Sequence, residues 1–501
     1  MNPKSIGTTP SERFLARLCD STFLSLWSYP NVYRDQGKTG TGDGKEMCDL
    51  LVVCGDDVLL FSDKSVAFKG DVASPTSWAR WCKRAVIRSA DQLHGAARWL
   101  DSPDRLFLDR SCTQPLLLSI PPPAARQVHR IVVARGSGQA CRAFFGSGSG
   151  SLVILPAISG TQHIDPHQSL SHPFAIGDID PAREFVHVLD DTTLELLLSE
   201  LDTISDFVRY LVDKEAFVRS GNLISAAGEE ELLGYYLGHM NSSGNHAFTT
   251  PDGRDVWRAG EYASISEGIW QQTSSRPEFL RKKEADRISY QWDQMIERFA
   301  GHLLGGTART AAREPASITQ HERALRLMAL ETRFERRAIA EQILEAIRLG
   351  SPDQNYARII GLREPLEART VYVFLQVPFN EASGAPDYEE YRDRRATLAY
   401  AYCMGIKARF PAIPRTIGIA VEPPATVGPA GPFSEDLVMV EPPKWTAELQ
   451  EEADELCAMF GIMDPEKLTT DRIRQREYPE ADFPGPPGSG SDDDEGDADA
   501  G

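Results

Sequence analysis

Residues Gly44–Lys64 read GKEMCDLLVVCGDDVLLFSDK. Two apolar runs rich in Val and Leu, Asp49–Val53 and Val58–Ser62, flank the turn Cys54-Gly55-Asp56-Asp57. Runs of that kind favour strands, and Gly beside Asp marks a tight turn, so the spacing predicts a hairpin. Asp49 opens its first strand and Ser62-Asp63-Lys64 closes its second. A carboxylate and an ammonium are thereby carried to the same end of one sheet. Strand side chains alternate faces, so Ser62 and Lys64 share a face, Asp63 points the other way, and Asp49 on the neighbouring strand meets the face of Lys64.

Outward from this hairpin, Phe14, Leu15, Leu18 and Phe23 recur at helical spacing, which predicts a helix over 10–26 with Ser11 as N-cap and Glu12 in its first turn, ended by Pro30. A further strand is expected in Ser28–Arg34. DQGKTGTGDGK at 35–45 reads as a Gly-rich loop. Trp78, Trp81, Ala85, Ile87, Leu93 and Trp99 predict a long helix over 76–100, and after the break at Pro121-Pro122-Pro123 a strand is expected over 128–134.

The segment 185–349 reads mostly helical. Beyond it the pattern changes to strands at 370–377, 416–421 and 436–440, with helices at 388–409 and 446–460. From Pro484 the chain is Pro, Gly, Ser and Asp with almost nothing apolar, and is expected to be disordered. The expected architecture is therefore α/β over 1–180, a helical region over 181–350, a small α/β unit over 351–483 and an acidic tail over 484–501.

The 501-residue chain carries a formal net charge of -20, which argues against broad, non-specific nucleic-acid binding. The charge is uneven, however. From Lys64 to Arg142 there are 13 Lys and Arg against five Asp, directly after the hairpin. Arg80, Arg84 and Arg88, four apart, would stack along one helix face, where each could neutralise one phosphate; a plain solvated face is the simpler alternative. Eight Cys are scattered with no CxxC pair and read as small buried hydrophobes of a reducing compartment. No apolar run approaches the ~18 residues of a membrane helix, and the first residues show no secretory signal, so a cytoplasmic protein is expected.

Other motifs fall away. Gly37-Lys38-Thr39 lacks the upstream Gly of a phosphate loop, since position 32 is Val32. The Gly/Ser run at 146–151 fits neither GxGxxG nor GxSxG. His163, Asp165, His167 and His172 crowd a loop, but no helix or strand fixes their spacing for a metal. Glu12, Asp49 and Lys64 remain. Phosphodiester hydrolysis needs a metal that polarises the phosphate and generates hydroxide; hard cations take carboxylate oxygens, and a lysine orients water or stabilises charge.

At these residues the chain resembles the PD-(D/E)XK nuclease superfamily, its nuclease-related-domain branch in particular, over residues 10–135. That family's core runs helix, three strands, helix, strand. The resemblance implies a Glu from the helix (Glu12), an Asp from the second strand (Asp49) and a Lys closing the third (Lys64), fifteen positions after Asp49. Gln92 matches a glutamine that some members carry in the second helix. It further implies Mg²⁺ or Mn²⁺ as cofactor and DNA as partner, with RNA and protein partners left open.

One position departs. The second metal carboxylate of the pattern falls on Ser62. Three readings stand open: Asp63 swings in through a bulge or Asp56 or Asp57 substitutes; Glu46 supplies the oxygen; or the site is dead and the fold is kept for interaction. The expected function is a metal-dependent nuclease or nuclease-like protein acting on DNA, the alternative a non-catalytic regulatory protein on a decayed nuclease fold.

Overall fold

The computed structural model describes residues 4–36, 38–146, 148–165, 172–308, 318–362, 369–379, 387–423, 435–469 and 471–480. His167 and the expected disordered tail from Pro484 lie outside the described residues.

Helix α1 (Pro10–Phe23) begins at Thr9, not at the expected Ser11: Thr9 accepts from the Glu12 N–H, Glu12 reaches back to the Thr9 N–H, and Pro10 takes the first helical position, where its missing N–H costs nothing. Strands β1 (Ser28–Arg34), β2 (Lys45–Cys54) and β3 (Asp57–Ser65) follow as an antiparallel meander, with the single turn α2 (Lys38–Thr41) between the first two. The expected long helix is broken in three: α3 (Pro75–Cys82), a π-helical turn over Lys83–Ile87, and α4 (Arg88–Ala97). It crosses back over the sheet so that, after the short β4 (Leu106–Phe107), strand β5 (Gln127–Arg135) lies parallel to β3.

The chain then turns to further strands, three of which, at 186–190, 223–226 and 263–265, fall in the region expected to be helical. Strands β6 (Val153–Ser159) and β7 (Ala175–Asp178) start a second sheet, β8 (Val186–Asp190) returns to the first and pairs parallel with β5, and β9 (Leu223–Ala226) and β10 (Ala263–Ile265) complete the second. The sheet orders are β4-β1-β2-β3-β5-β8 and β10-β9-β6-β7. These strands run three to seven residues, too short to show a period of two, and one holds a Pro and another a Gly. The division expected at 180 therefore does not hold, because β8 closes the first sheet. The rest of the middle is helical as expected, over Ile204–Arg219, Tyr290–Gly305, Ile318–Ala329 and Arg333–Leu349 among others.

A third sheet, β11 (Tyr356–Gly361), β12 (Thr370–Gln376), β13 (Arg415–Val421) and β14 (Glu435–Val440), carries the helices Tyr388–Arg409 and Ala447–Phe460. Alternation along β12 serves two cores. Tyr372 and Phe374 join a cluster running back to Leu15, while Val371, Val373 and Leu375 join a second one with those two helices. All eight cysteines are free, seven of them buried. Among the described residues, no helix is long and apolar enough to cross a membrane.

Where the third sheet meets the middle, Tyr372 packs edge-on against Trp292 and its hydroxyl donates to Glu331 Oε1 at 2.7 Å. Burial, reinforced by Glu335, pushes the Glu331 carboxyl up to about 8. An acid whose folded pKa exceeds its unfolded one stabilises fully below the unfolded value, and that contribution is lost as pH rises through the folded value. Glu331 should thus cost stability progressively between about pH 4.5 and 8. Glu331→Gln, which keeps an acceptor for Tyr372, is expected to melt like the parent at pH 4 and above it at pH 9. Equal melting temperatures at both would contradict this.

Candidate functional site

The β2–β3 ladder runs from Cys54↔Asp57 to Leu50↔Phe61 and stops, while β3 continues against β5 as far as Ser65↔Arg135. Asp49 sits at this fork. Its Oδ2 accepts the Asp63 N–H at 2.6 Å and lies 3.6 Å from Lys64 Nζ. Asp49 is 4 % exposed and the Lys64 side chain 37 %, so a buried carboxylate meets solvent beside an ammonium.

Asn31 was not anticipated and organises the other side. It has a positive φ of 52°, next to a register shift at Val32/Tyr33. Asn adopts that conformation more readily than most residues. Its Nδ2 donates to Glu12 Oε2 at 3.0 Å and to Glu46 Oε1 at 2.8 Å, and its Oδ1 accepts from Ser5 at 2.7 Å. Glu12, Glu46, Asp49 and Lys64 are thereby gathered at one sheet end.

Their charges interact. Burial pushes the Asp49 carboxyl up, opposed by Lys64 and the Asp63 N–H and reinforced by Glu12. Burial also raises Glu46, against its Asn31 bond and with the charges of Asp49 and Glu12. Glu12 differs. Partial burial would raise it, but bonds from Thr8, Asn31 and Thr9 outweigh that and hold it at about 2. Its carboxylate is largely spent on capping α1.

Asp63 does not swing in. Strand alternation sends its buried side chain to the α1 face, where its Oδ1 accepts from Arg135 Nε at 2.8 Å. Its part in the site is its backbone N–H. Asp56 and Asp57 close the turn at the other end of the hairpin, Asp57 against His129 at 2.9 Å, seven residues or ~23 Å of strand from Lys64. Ser62 is fully buried on the face of Asp49 and Lys64. His163 is satisfied by backbone, with Nδ1 on Gly160 O at 2.9 Å and Nε2 accepting from Gly177 N–H at 3.0 Å.

Arg80, Arg84 and Arg88 are exposed, and Gln92 is half-buried. The π-turn after Cys82 widens the repeat, so the three arginines do not form the single stacked row that a continuous α-helix would give. The helix begins at the Lys64 end, where Trp81 Nε1 donates to Val66 O at 2.7 Å, and ends at the opposite one, where His94 faces Glu184. Arg80 therefore lies on the site's side, and Gln92 belongs to the far end.

The donor set bears on a metal. Among the described residues, no three His, Cys, Asp or Glu side chains are placed to hold one. Mg²⁺ does not require that: it keeps several waters and takes one or two carboxylates plus substrate oxygens. Asp49 and Glu46 fit such a role, since each carries a charge disfavoured by burial and by the other carboxylates, which a bound cation would relieve. No family model, curated protein or solved structure matches this chain.

Proposed function

We propose that this chain is a metal-dependent nuclease acting on DNA, with its reacting centre at the β2–β3 fork on a restriction-endonuclease-like core. The observation that carries the reading is the Lys64 ammonium 3.6 Å from the buried Asp49 carboxylate, with Glu46 and Glu12 tied to the same sheet end by Asn31. The order helix, three antiparallel strands, helix, parallel strand supports it. Asp49 and Glu46 would hold Mg²⁺ or Mn²⁺. When bound, the cation supplies phosphate polarisation and a hydroxide at neutral pH. Lys64 orients the attacking water and stabilises charge on the phosphate. The Asp63 N–H and Asn31 fix the carboxylates. Arg80 and its exposed neighbours bind the DNA backbone. The test is incubation of the purified chain with linear and circular DNA in Mg²⁺, Mn²⁺ or EDTA. Metal-dependent cleavage is expected; no product with either metal would refute the enzyme.

Ser62 favours a second reading, a non-catalytic interaction protein. It occupies the position where the resemblance places a carboxylate, and Asp63 is held by Arg135. Ser62→Glu separates the two. It adds a third buried acid beside Asp49, so the variant should melt below the parent in EDTA, because an unpaired buried charge is costly. Under the nuclease reading, Mn²⁺ restores the melting temperature and raises cleavage. If Mn²⁺ restores neither, the interaction reading takes its place.

A further inference from the structure

A second cleft, of about 810 Å³, lies at the opposite end of the first sheet from Lys64. It opens between the starts of β5 and β8 and the helix Ile204–Arg219, and four arginines line it. Two of these are spent elsewhere. Arg126 bonds to Asp101 and to Leu100 O; Arg219 bonds to Asp178 at 2.7 Å and Glu215 at 2.9 Å. The other two are held more loosely. Arg183 Nη1 donates to the largely exposed Asp91 at 3.3 Å and stands 3.9 Å from the half-exposed Asp180. Arg130 Nη1 donates to Val128 O at 3.1 Å, and its nearest carboxylate is the largely exposed Glu184, 3.6 Å from Nη2.

The buried polar atoms point the same way. Arg130 is 7 % exposed and His187 2 %, yet Arg130 Nε and His187 Nδ1 have no hydrogen-bond partner among the described residues. His94, 5 % exposed, lies behind Glu184, and its Nε2 lacks a partner in the same sense. Buried polar groups left unpaired are costly and uncommon, so the two that line this cleft mark a place for a partner from outside the chain. Cations crowd the cleft, though Glu184 and Glu215 stand among them. Burial lowers the His187 imidazole, and Lys214, His129 and Arg219 lower it further; burial, Arg183 and Arg130 act alike on His94. Phe185 forms a flat wall, with His187 edge-on at 4.9 Å and the Arg219 guanidinium over it at 5.2 Å.

We propose that this cleft binds a phosphate monoester of nucleotide size, with Arg130 and Arg183 on the phosphate oxygens and His187 as a further donor. A guanidinium fork matches phosphate geometry, and the two arginines whose nearest carboxylates stand at 3.3 Å or beyond are the ones with donors to spare. The volume lies within the range of small-molecule pockets and well above the needs of a bare anion. The site is separate from the β2–β3 fork and does not depend on cleavage there.

The test uses the full chain, with AMP, adenosine and inorganic phosphate titrated by calorimetry. AMP is expected to bind and adenosine not. Arg183→Gln should weaken AMP by roughly tenfold, the worth of one charged hydrogen bond. Arg130→Gln should abolish binding while circular dichroism reports the parent fold; should that variant fail to fold, the half-exposed Arg183 carries the test alone. Asp49→Asn should bind AMP like the parent. No heat with AMP or phosphate, equal binding of AMP and adenosine, or an unchanged affinity in Arg183→Gln would each overturn the proposal, leaving a cleft that holds water only. Phosphate bound with AMP excluded would overturn it as to size.

Discussion

Asp49→Asn is expected, on the proposed nuclease function, to lower metal-dependent cleavage by roughly 10³-fold, because it would remove both a metal ligand and the partner of Lys64. The fold should not suffer. The amide oxygen still accepts the Asp63 N–H, and burial together with Glu12 raises the acid that is lost. A raised folded pKa means that ionised Asp49 costs stability once pH passes its unfolded value, so Asn in its place should melt at or above the parent at pH 8. The Mg²⁺-dependent rise in melting temperature should vanish with activity, since binding to the folded state alone produces it. Lys64→Ala should cut cleavage by roughly 10²-fold and leave that metal-dependent rise in place, because Lys64 holds no metal. Cleavage at the parent rate in either variant would remove the site from the β2–β3 fork.

The largest effect on stability is expected far from there. Arg395, on the helix Tyr388–Arg409, bonds to Asp436 Oδ2 at 2.6 Å through Nη2 and 2.8 Å through Nε, and both side chains are fully buried. Arg392 takes the other carboxylate oxygen at 2.6 Å. Asp436→Ala removes the carboxylate shared by two guanidinium groups, one of them fully buried. Breaking a buried pair from one side costs about 3–5 kcal/mol, much more than loss of an exposed pair. Equilibrium urea unfolding should therefore show a midpoint well below the parent, while Asp436→Asn, which keeps an acceptor, falls between. A midpoint within error of the parent would mean that the arginines find water.

The hairpin was legible because its Val and Leu runs are unbroken and a Gly-Asp turn separates them. The fate of Asp63 followed from alternation, and the swing through a bulge did not occur because β5 pairs with β3 through Ser65 without a register shift. The helix Tyr388–Arg409 was legible end to end, with Asp387 capping it and Pro411 just beyond. Three other features were not. Asn31 joins Glu12 and Glu46 through a bulge and a left-handed backbone, neither of which leaves a periodic trace. The π-turn at Lys83–Ile87 lies in text that reads as continuous helix. The strand β8, VHVLD, is five residues long, and its membership of the first sheet is a tertiary fact.

The closure of that sheet by β8, together with the bond from Trp27 Nε1 to Glu322 Oε1 at 2.8 Å across 295 positions, has a bearing on biosynthesis. Trp27 is fully buried, and the acceptor of its indole N–H arrives late. At translation rates of 5–20 residues per second, the hairpin emerges roughly ten seconds to a minute before Glu322 does. Early in that interval, until Val186–Asp190 follows, β5 is an unpaired edge, the kind of surface that chaperones hold and aggregates recruit. The fork at Asp49 is thus framed by residues made early, while the buried Trp27 waits for Glu322, so a nascent chain stalled before the helix Ile318–Ala329 would carry the site with the Trp27 indole N–H still unpaired.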